Sequence, residues 1–270
     1  MKVAIQGIKG SYHHQVAHEL YGATELVECM SFGALVNSIS EGPADKAVMA
    51  IGNSIAGSIL PNYGLIKSHD LFITGEFYLN INHQLMSLKG QAMSDILEIQ
   101  SHPMALLQCG SFLKHYPHIR VVETDDTAAA ASRIKDQNKS GVAAIASSLA
   151  ADLYNLEIIK GNIQEAKSNF TRFVILEKTN EINAGAGKAT INFITSHEPG
   201  SLGRILMDLG SLGINLSKIQ SIPIIEKPFL FSFVADLEFD NLNIFKKAQS
   251  NIEKLTKSLH VLGVYKSRSL

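Results

Sequence analysis

Cysteine is scarce: Cys29 and Cys109 are the only two in 270 residues. A disulfide framework is excluded by number, and two isolated thiols fit a reducing compartment. Charge of either sign is equally undistinguished, with 24 Lys and Arg against 25 Asp and Glu, a formal net charge of −1. Basic runs and acidic tails are missing, whereas nucleic-acid binding leaves a clustered Lys/Arg footprint. No nucleic-acid partner is expected. Long hydrophobic runs are missing too: nothing approaches the roughly 20 apolar residues of a membrane span. The opening apolar stretch stops at Gln6, too short for the core of a secretory signal, so a cytoplasmic location is expected.

Metal and nucleotide signatures are also lacking. His14 and His18 stand one helical turn apart, but Gln15 occupies the place where a zincin motif needs Glu, and no third ligand is evident. A solvated helix face is the expected reading, and no bound metal is expected. Gly7-x-x-Gly10-Ser11 lacks both Gly-x-Gly-x-x-Gly and the P-loop Lys, so no nucleotide or other cofactor is expected.

What is present is an ordinary globular composition, 46% hydrophobic and 18% charged. A chain this long buries a core without disulfide or metal. Strand, turn and helix alternate: a strand at Lys2–Gly7 and a helix at His13–Tyr21, then a strand at Lys46–Ile51 before Gly52-Asn53-Ser54. A strand at Ile96–Gln100 leads to a helix from Pro103 to about Tyr116. Asp126 or Thr127 caps a helix at Ala128–Lys135. A strand at Gly141–Ala146 precedes a helix capped by Ser147, and Phe173–Glu177 is the last strand of the region. This order implies an α/β protein with a mostly parallel sheet covered on both faces. Such sheets bind ligands at the carboxyl ends of strands. Ser11, Tyr12, Asn53, Ser54, Ser101, His102 and Thr127 fall at those ends, while Thr171 falls at a strand start. Alternating apolar residues at Leu71–Leu88 suggest a crossing between two lobes. Cys109, beside Leu106, Leu107 and Phe112, reads as a buried small hydrophobe.

Residues 179–188 are glycine-rich and apolar-poor, and read as a linker. Beyond it come a strand at Ala189–Thr195, a helix striped by Leu202, Ile205, Leu206, Leu209 and Leu212, and strands at Ile214–Ile222 and Phe229–Leu237. A helix striped by Phe245, Ala248, Ile252, Leu255 and Leu259 and a strand at His260–Tyr265 follow. That order, βαββαβ, is ferredoxin-like.

Several segments resemble the prephenate dehydratase family. They are Gly7-Ile8-Lys9-Gly10-Ser11-Tyr12, Asn53-Ser54-Ile55-Ala56-Gly57-Ser58, Ser101-His102-Pro103 through Gln108-Cys109, Thr127 with its alanines, Ala143–Ala146, and Thr171-Arg172-Phe173. The tail resembles an ACT module through Glu198-Pro199-Gly200-Ser201-Leu202 and Gly213-Ile214-Asn215-Leu216-Ser217. Departures are Ala50 and Gly52, where the family usually has Pro and Glu, Met104 for a glutamine, and Gln220-Ser221-Ile222-Pro223 for Glu-Ser-Arg-Pro.

The resemblance implies a two-lobed, periplasmic-binding-protein-like catalytic domain at 1–178, with crossovers near 72–88 and 155–170, and an ACT domain at 189–270. It implies decarboxylating dehydration of prephenate without cofactor or covalent nucleophile. Thr171 would bond the departing hydroxyl, with His102 an alternative acid. Asn53 and Ser54 would orient substrate, and Gly10, Ser11, Tyr12 and Thr127 would receive its carboxylates. Phe173 would wall the ring, and Arg172 would either balance charge or pair with a structural carboxylate. Phenylalanine would bind Gly200, Ser201, Leu202, Asn215, Leu216 and Ser217 where ACT modules pair, in a homodimer or homotetramer. Arogenate dehydration, or ligand sensing without catalysis, are the competing expectations.

Overall fold

The computed structural model describes residues 1–182, 184–224, 227 and 230–268. In chain order the fold begins β1 (Lys2–Gln6), α1 (Tyr12–Tyr21), β2 (Glu25–Cys29), α2 (Phe32–Ser40), β3 (Lys46–Asn53), β4 (Gly57–Ser58), α3 (Leu60–Ser68) and β5 (Phe72–Asn80). It continues β6 (Gln84–Ser87), β7 (Glu98–Ser101), α4 (Pro103–Gln108), α5 (Gly110–Leu113), β8 (Arg120–Glu123), α6 (Thr127–Asp136), β9 (Val142–Ala146), α7 (Ser148–Leu153), β10 (Glu157–Lys160) and β11 (Phe170–Glu177). Last come β12 (Lys188–Thr195), α8 (Ser201–Ser211), β13 (Asn215–Pro223), β14 (Phe231–Glu238), α9 (Leu242–Leu255) and β15 (Thr256–Tyr265).

Two mixed sheets, rather than one mostly parallel sheet, form the two lobes that the resemblance implies. The first runs β2-β1-β3-β11-β5, with β4 on β3, and the second runs β10-β6-β9-β7-β8. Parallel pairing holds for β1 with β2 and β3, and for β7 with β8 and β9; β6 is antiparallel to β9 and β10. The alternating stretch at 71–88 is two strands in different sheets, so the chain passes from one lobe to the other between Asn80 and Gln84. It returns between Lys160 and Phe170.

Local chemistry explains most helix starts. Ser11, Ser31, Asp126 and Ser147 each accept a first-turn N–H, capping α1, α2, α6 and α7. Pro103 opens α4, where its missing N–H goes unneeded. The long helix expected to Tyr116 breaks at Cys109 into α4 and α5. The helix expected through Leu259 stops at Leu255, because Thr256, Val261, Val264 and Tyr265 favour the strand that follows. β2 and α2 had no counterpart in the sequence pattern.

Contacts divide the chain into two compact units, Met1–Ser58 with Tyr78–Phe173, and Ile59–Phe77 with Val174–Leu270. The sequence division fell at 178, whereas 59–77 and 174–177 group with the C-terminal residues. Within that second unit the sheet order is β13-β14-β12-β15, entirely antiparallel, the βαββαβ arrangement expected. Ala189, Ile191 and Phe193 pack with Ile205, Phe245 and Ile252 beneath α8 and α9. Alternation sends Lys188, Thr190 and Asn192 to the opposite face. There Lys188 Nζ meets Glu76 at 3.1 Å, and Lys67 Nζ donates to Asn192 at 3.0 Å. Lys218 Nζ donates to the Tyr63 hydroxyl at 2.6 Å. Gly263 is obligatory, since a Cβ there would lie 2.0 Å from the Ile73 carbonyl oxygen. These contacts recruit 59–77 to the C-terminal sheet. Asn183 in the expected linker and Phe229 in the expected strand lie outside the described residues.

No helix among the described residues is long and apolar enough to cross a membrane. Lys188 and Glu76 have side chains only 4% and 0% exposed. Lys188→Met removes the ammonium facing the buried Glu76 carboxylate, which keeps the Arg268 N–H at 3.1 Å, and should cost about 3–5 kcal/mol in urea unfolding, part of which Glu76→Leu should recover.

Candidate active site

The turn after β3 is held by one side chain. Asn53 Oδ1 accepts the backbone N–H groups of Ile55 and Ala56, both at 2.9 Å. Its Nδ2 therefore faces β11, donating to Asn169 Oδ1 at 2.7 Å and to Thr171 Oγ1 at 3.0 Å. Ser54 clamps the same strand: its N–H donates to the Phe170 carbonyl at 2.8 Å, and its Oγ accepts the Phe170 N–H at 3.0 Å. Asn53 and Thr171 are thus brought together as expected. Their division of labour differs. All four hydrogen-bonding valences of Asn53 are engaged inside the protein, whereas the exposed Ser54 accepts one N–H and keeps its own O–H. Asn53 thus holds Thr171, and Ser54 holds the strand beside it. Thr171 is partly exposed, and because its oxygen accepts from Asn53, its own proton points elsewhere.

The early bend needs glycine, with φ of +87° at Gly7 and +91° at Gly10. Gly10 N–H donates to His14 Nδ1, and its carbonyl accepts from Ser147 Oγ at 2.7 Å. Ser11 is 2% exposed and caps α1 through the His14 N–H. At α6 the Asp126 carboxylate accepts the Ala129 N–H at 2.9 Å and lies against Gly7, where a Cβ would meet its Oδ2 at 2.6 Å. Burial raises the Asp126 pKa, opposed by backbone N–H donors and the charges of His102 and Arg133. The helix starts expected to receive substrate carboxylates are thus already capped from within. Thr127, half-buried at the first position of α6, keeps a hydroxyl with no partner among the described residues. His102 is exposed and spends Nδ1 as a cap on the Met104 N–H at 3.2 Å, leaving Nε2 for any ligand.

Phe173 is 1% exposed, so it cannot wall a ring arriving from solvent. It meets His13 edge to face at 5.0 Å and lies two residues from Thr171 on the same strand face. Arg172 projects to the other face of β11, where its guanidinium stands 6.0 Å from the centre of the Tyr78 ring. His13 Nε2 accepts the Ala50 N–H at 3.3 Å. A proline at residue 50, usual in the resembling family, has no N–H to give. Gly52 has room for a side chain, since a Cβ would lie 3.5 Å from its nearest neighbour.

Sequence reasoning missed His83 and assigned no site role to Asn169 or to Gln108, although Gln108 lies in a resembling segment. His83 and Asn169 are 3% and 0% exposed, and Gln108 Oε1 lies 2.9 Å from Asn169 Nδ2 and 3.0 Å from His83 Nε2. His83 Nδ1 lies 2.8 Å from the Tyr12 hydroxyl, which also lies 3.1 Å from the Asn82 carbonyl. Tyr12 is therefore spent on this network rather than on a carboxylate. The signal available for Asn169 was its period-two spacing with Thr171 and Phe173.

Cys109 is fully buried and its thiol is pushed up to about 12, so it supplies no thiolate nucleophile. No group of three or more metal-ligating side chains occurs among the described residues. The two expected effector segments separate in one chain. Ser201 and Leu202 line a cavity of about 690 Å³ with Ile194, His197, Phe231 and Phe233. Gly200, in the left-handed region, caps α8. Asn215, Leu216 and Ser217 lie on β13, an edge strand, with Asn215 Nδ2 donating to Glu238 at 3.1 Å.

Burial lowers His13 from 6.5 to about 3. A depressed folded-state pKa stabilises the protein above pH 6.5 and loses that stabilisation as pH falls toward 3. Asp126, raised, acts in the opposite sense. The melting temperature should fall between pH 6.5 and 3, less steeply in His13→Asn, as thermal melts across that range would show.

The prephenate dehydratase family model matches residues 3–181. A chloroplastic arogenate dehydratase/prephenate dehydratase of Arabidopsis thaliana is 34% identical over 98% of this chain and 72% of its own length. The prephenate dehydratase of Arthrobacter aurescens, solved with L-Phe, superposes with a TM-score of 0.87 at 25% identity over 99% of this chain and 90% of that one. The quorum-quenching acylase GqqA superposes with a TM-score of 0.90 at 27% identity, covering 99% and 98%.

Proposed function

The chain belongs to the prephenate dehydratase family, and we propose on that basis that it is a carbon–oxygen lyase converting prephenate to phenylpyruvate in phenylalanine biosynthesis. In this reaction the ring carboxylate leaves as carbon dioxide and its bonding electrons enter the ring. The bond to the ring hydroxyl breaks, and hydroxide takes up one proton and leaves as water. Aromaticity drives the process, so the protein needs chiefly to hold the dianion and ease the departure of hydroxide.

One observation carries the assignment of Thr171: its oxygen accepts from Asn53 Nδ2 at 3.0 Å, which leaves its O–H to donate. A neutral hydroxyl stabilises the developing charge on the leaving oxygen by hydrogen bonding rather than by full proton transfer. Thr127 and His102 Nε2 remain to meet the carboxylates, with the imidazole an alternative acid. Thr171→Ala should fold and lose about 10²–10⁴ in kcat, whereas Thr171→Ser should retain most turnover. Near-normal phenylpyruvate production by the alanine variant removes Thr171 from this role.

The relative from Arabidopsis thaliana carries both arogenate and prephenate in its name, so turnover of the two substrates belongs in one assay. Acyl transfer has no comparable support among the described residues. Thr171 accepts from an amide instead of pairing with a base, and Cys109 is buried. The free Cys29 and Cys109 support a cytoplasmic setting.

Regulation by phenylalanine follows from the C-terminal unit. The cavity at Ser201 and Leu202 supplies one half of an effector site. The exposed edge β13 is suited to pairing with a second chain, whose Asn215–Ser217 segment completes the site in a homodimer or homotetramer. L-Phe should bind and raise the melting temperature, with about 2.7 kcal/mol of stabilisation at 100 times its Kd. Calorimetry without heat at millimolar L-Phe rejects this site.

A further inference from the structure

We propose that His83 is a positioning residue of the dehydration site, aiming the Thr171 hydroxyl through Gln108, Asn169 and Asn53. The inference rests on the dehydratase reading given above and adds a residue that does not touch substrate.

Hydrogen-bond polarity makes the case. The backbone N–H groups of Ile55 and Ala56 can only donate, so Asn53 must present Oδ1 to them and Nδ2 to β11. The two Nδ2 protons go to Asn169 Oδ1 and Thr171 Oγ1. Asn169 therefore presents its own Nδ2 to Gln108 Oε1 at 2.9 Å. An oxygen facing His83 Nε2 at 3.0 Å requires an N–H there, which leaves Nδ1 as the acceptor for the Tyr12 hydroxyl at 2.8 Å. From Asn53 through Asn169 and Gln108 each amide has one consistent orientation, and it places the His83 proton on Nε2, with the single Tyr12 proton shared between His83 Nδ1 and the Asn82 carbonyl at 3.1 Å.

The surroundings hold that imidazole in place. The His83 backbone N–H donates to Gln164 Oε1 at 2.9 Å, and its carbonyl accepts from the Ile163 N–H at 3.0 Å. Tyr12 meets the ring edge-on at 5.6 Å. His83 and Asn169 are 3% and 0% exposed, and a reversed amide at Asn169 would face donor to donor. Removing the Nε2–H frees Gln108 to turn, then Asn169, and Asn53 loses the acceptor that fixes one of its protons. Thr171 remains present but is no longer aimed.

The test compares His83→Gln, His83→Asn and His83→Phe with the unsubstituted protein. Glutamine extends an amide N–H to about the position of Nε2, whereas asparagine falls short of it and phenylalanine fills it with C–H, so neither supplies a donor there. The Asn and Phe variants should lose about 10- to 100-fold in kcat on prephenate with KM unchanged, and Gln should restore most of it. Equal kcat in all variants, or a raised KM with kcat intact, overturns the proposal. A second readout needs no variant: two-bond ¹H–¹⁵N correlation on the unsubstituted protein should show neutral His83 protonated at Nε2, and an Nδ1–H form overturns it as well. Failure of the dehydratase reading looks different. Prephenate then survives incubation with the unsubstituted protein, and the tautomer alone decides whether the network has this polarity.

Discussion

Two backbone N–H groups, those of Ile55 and Ala56, cannot reverse their polarity, and the geometry around Thr171 follows from that constraint. They fix the Asn53 amide, which fixes Asn169 on one side and the threonine oxygen on the other. A hydroxyl rotates freely and has three roles open to it. Occupying its lone pair with a donor leaves donation as its function. The site thus gains direction without a charged residue beside the reacting group, which suits a leaving hydroxide that needs a hydrogen-bond donor and not a base.

Polar groups elsewhere are committed with similar economy. Ser11, Asp126 and Ser147 each close the helix they precede, and Ser147 also reaches the carbonyl of Gly10. That double use ties the early bend to α7 and keeps Gly7 and Gly10 in conformations other residues avoid. It also narrows the set of groups that can meet a ligand, leaving Thr171, Thr127, Ser54 and His102 with capacity to spare.

In the C-terminal unit, alternation along β12 divides labour between two faces. Ala189, Ile191 and Phe193 serve the apolar core, while Lys188, Thr190 and Asn192 serve a polar face that is nevertheless buried. Thr190 Oγ1 donates to Asp236 at 2.6 Å, also lies 2.6 Å from the Tyr265 hydroxyl, and Lys188 meets Glu76. Such a face specifies its neighbours tightly, because each buried polar group needs one particular partner. This is why residues 59–77, distant in sequence, belong to that unit.

Much local information was legible in the chain, although β2, α2 and the break at Cys109 were not. Caps at Ser11, Asp126 and Ser147, proline at the start of α4, helical stripes in α8 and α9, and period-two alternation in β12 and β14 each depend on neighbours a few residues away. The motif around Thr171 was equally readable, as was its company with Asn53. Other features required the folded chain. Where the Asn53 amide is committed, what Phe173 packs against and which sheet β6 joins are settled by residues 56 to 160 positions away. Gln108 lies in a segment that carries the resemblance, but with His83 and Asn169 it acquires its role only when three segments converge. The sequence by itself determined which elements form and which chemistry they offer, because propensity and capping act over one or two turns. Tertiary structure alone decided which polar groups are spent on each other and which stay free, because hydrogen-bond partners are chosen by proximity in space.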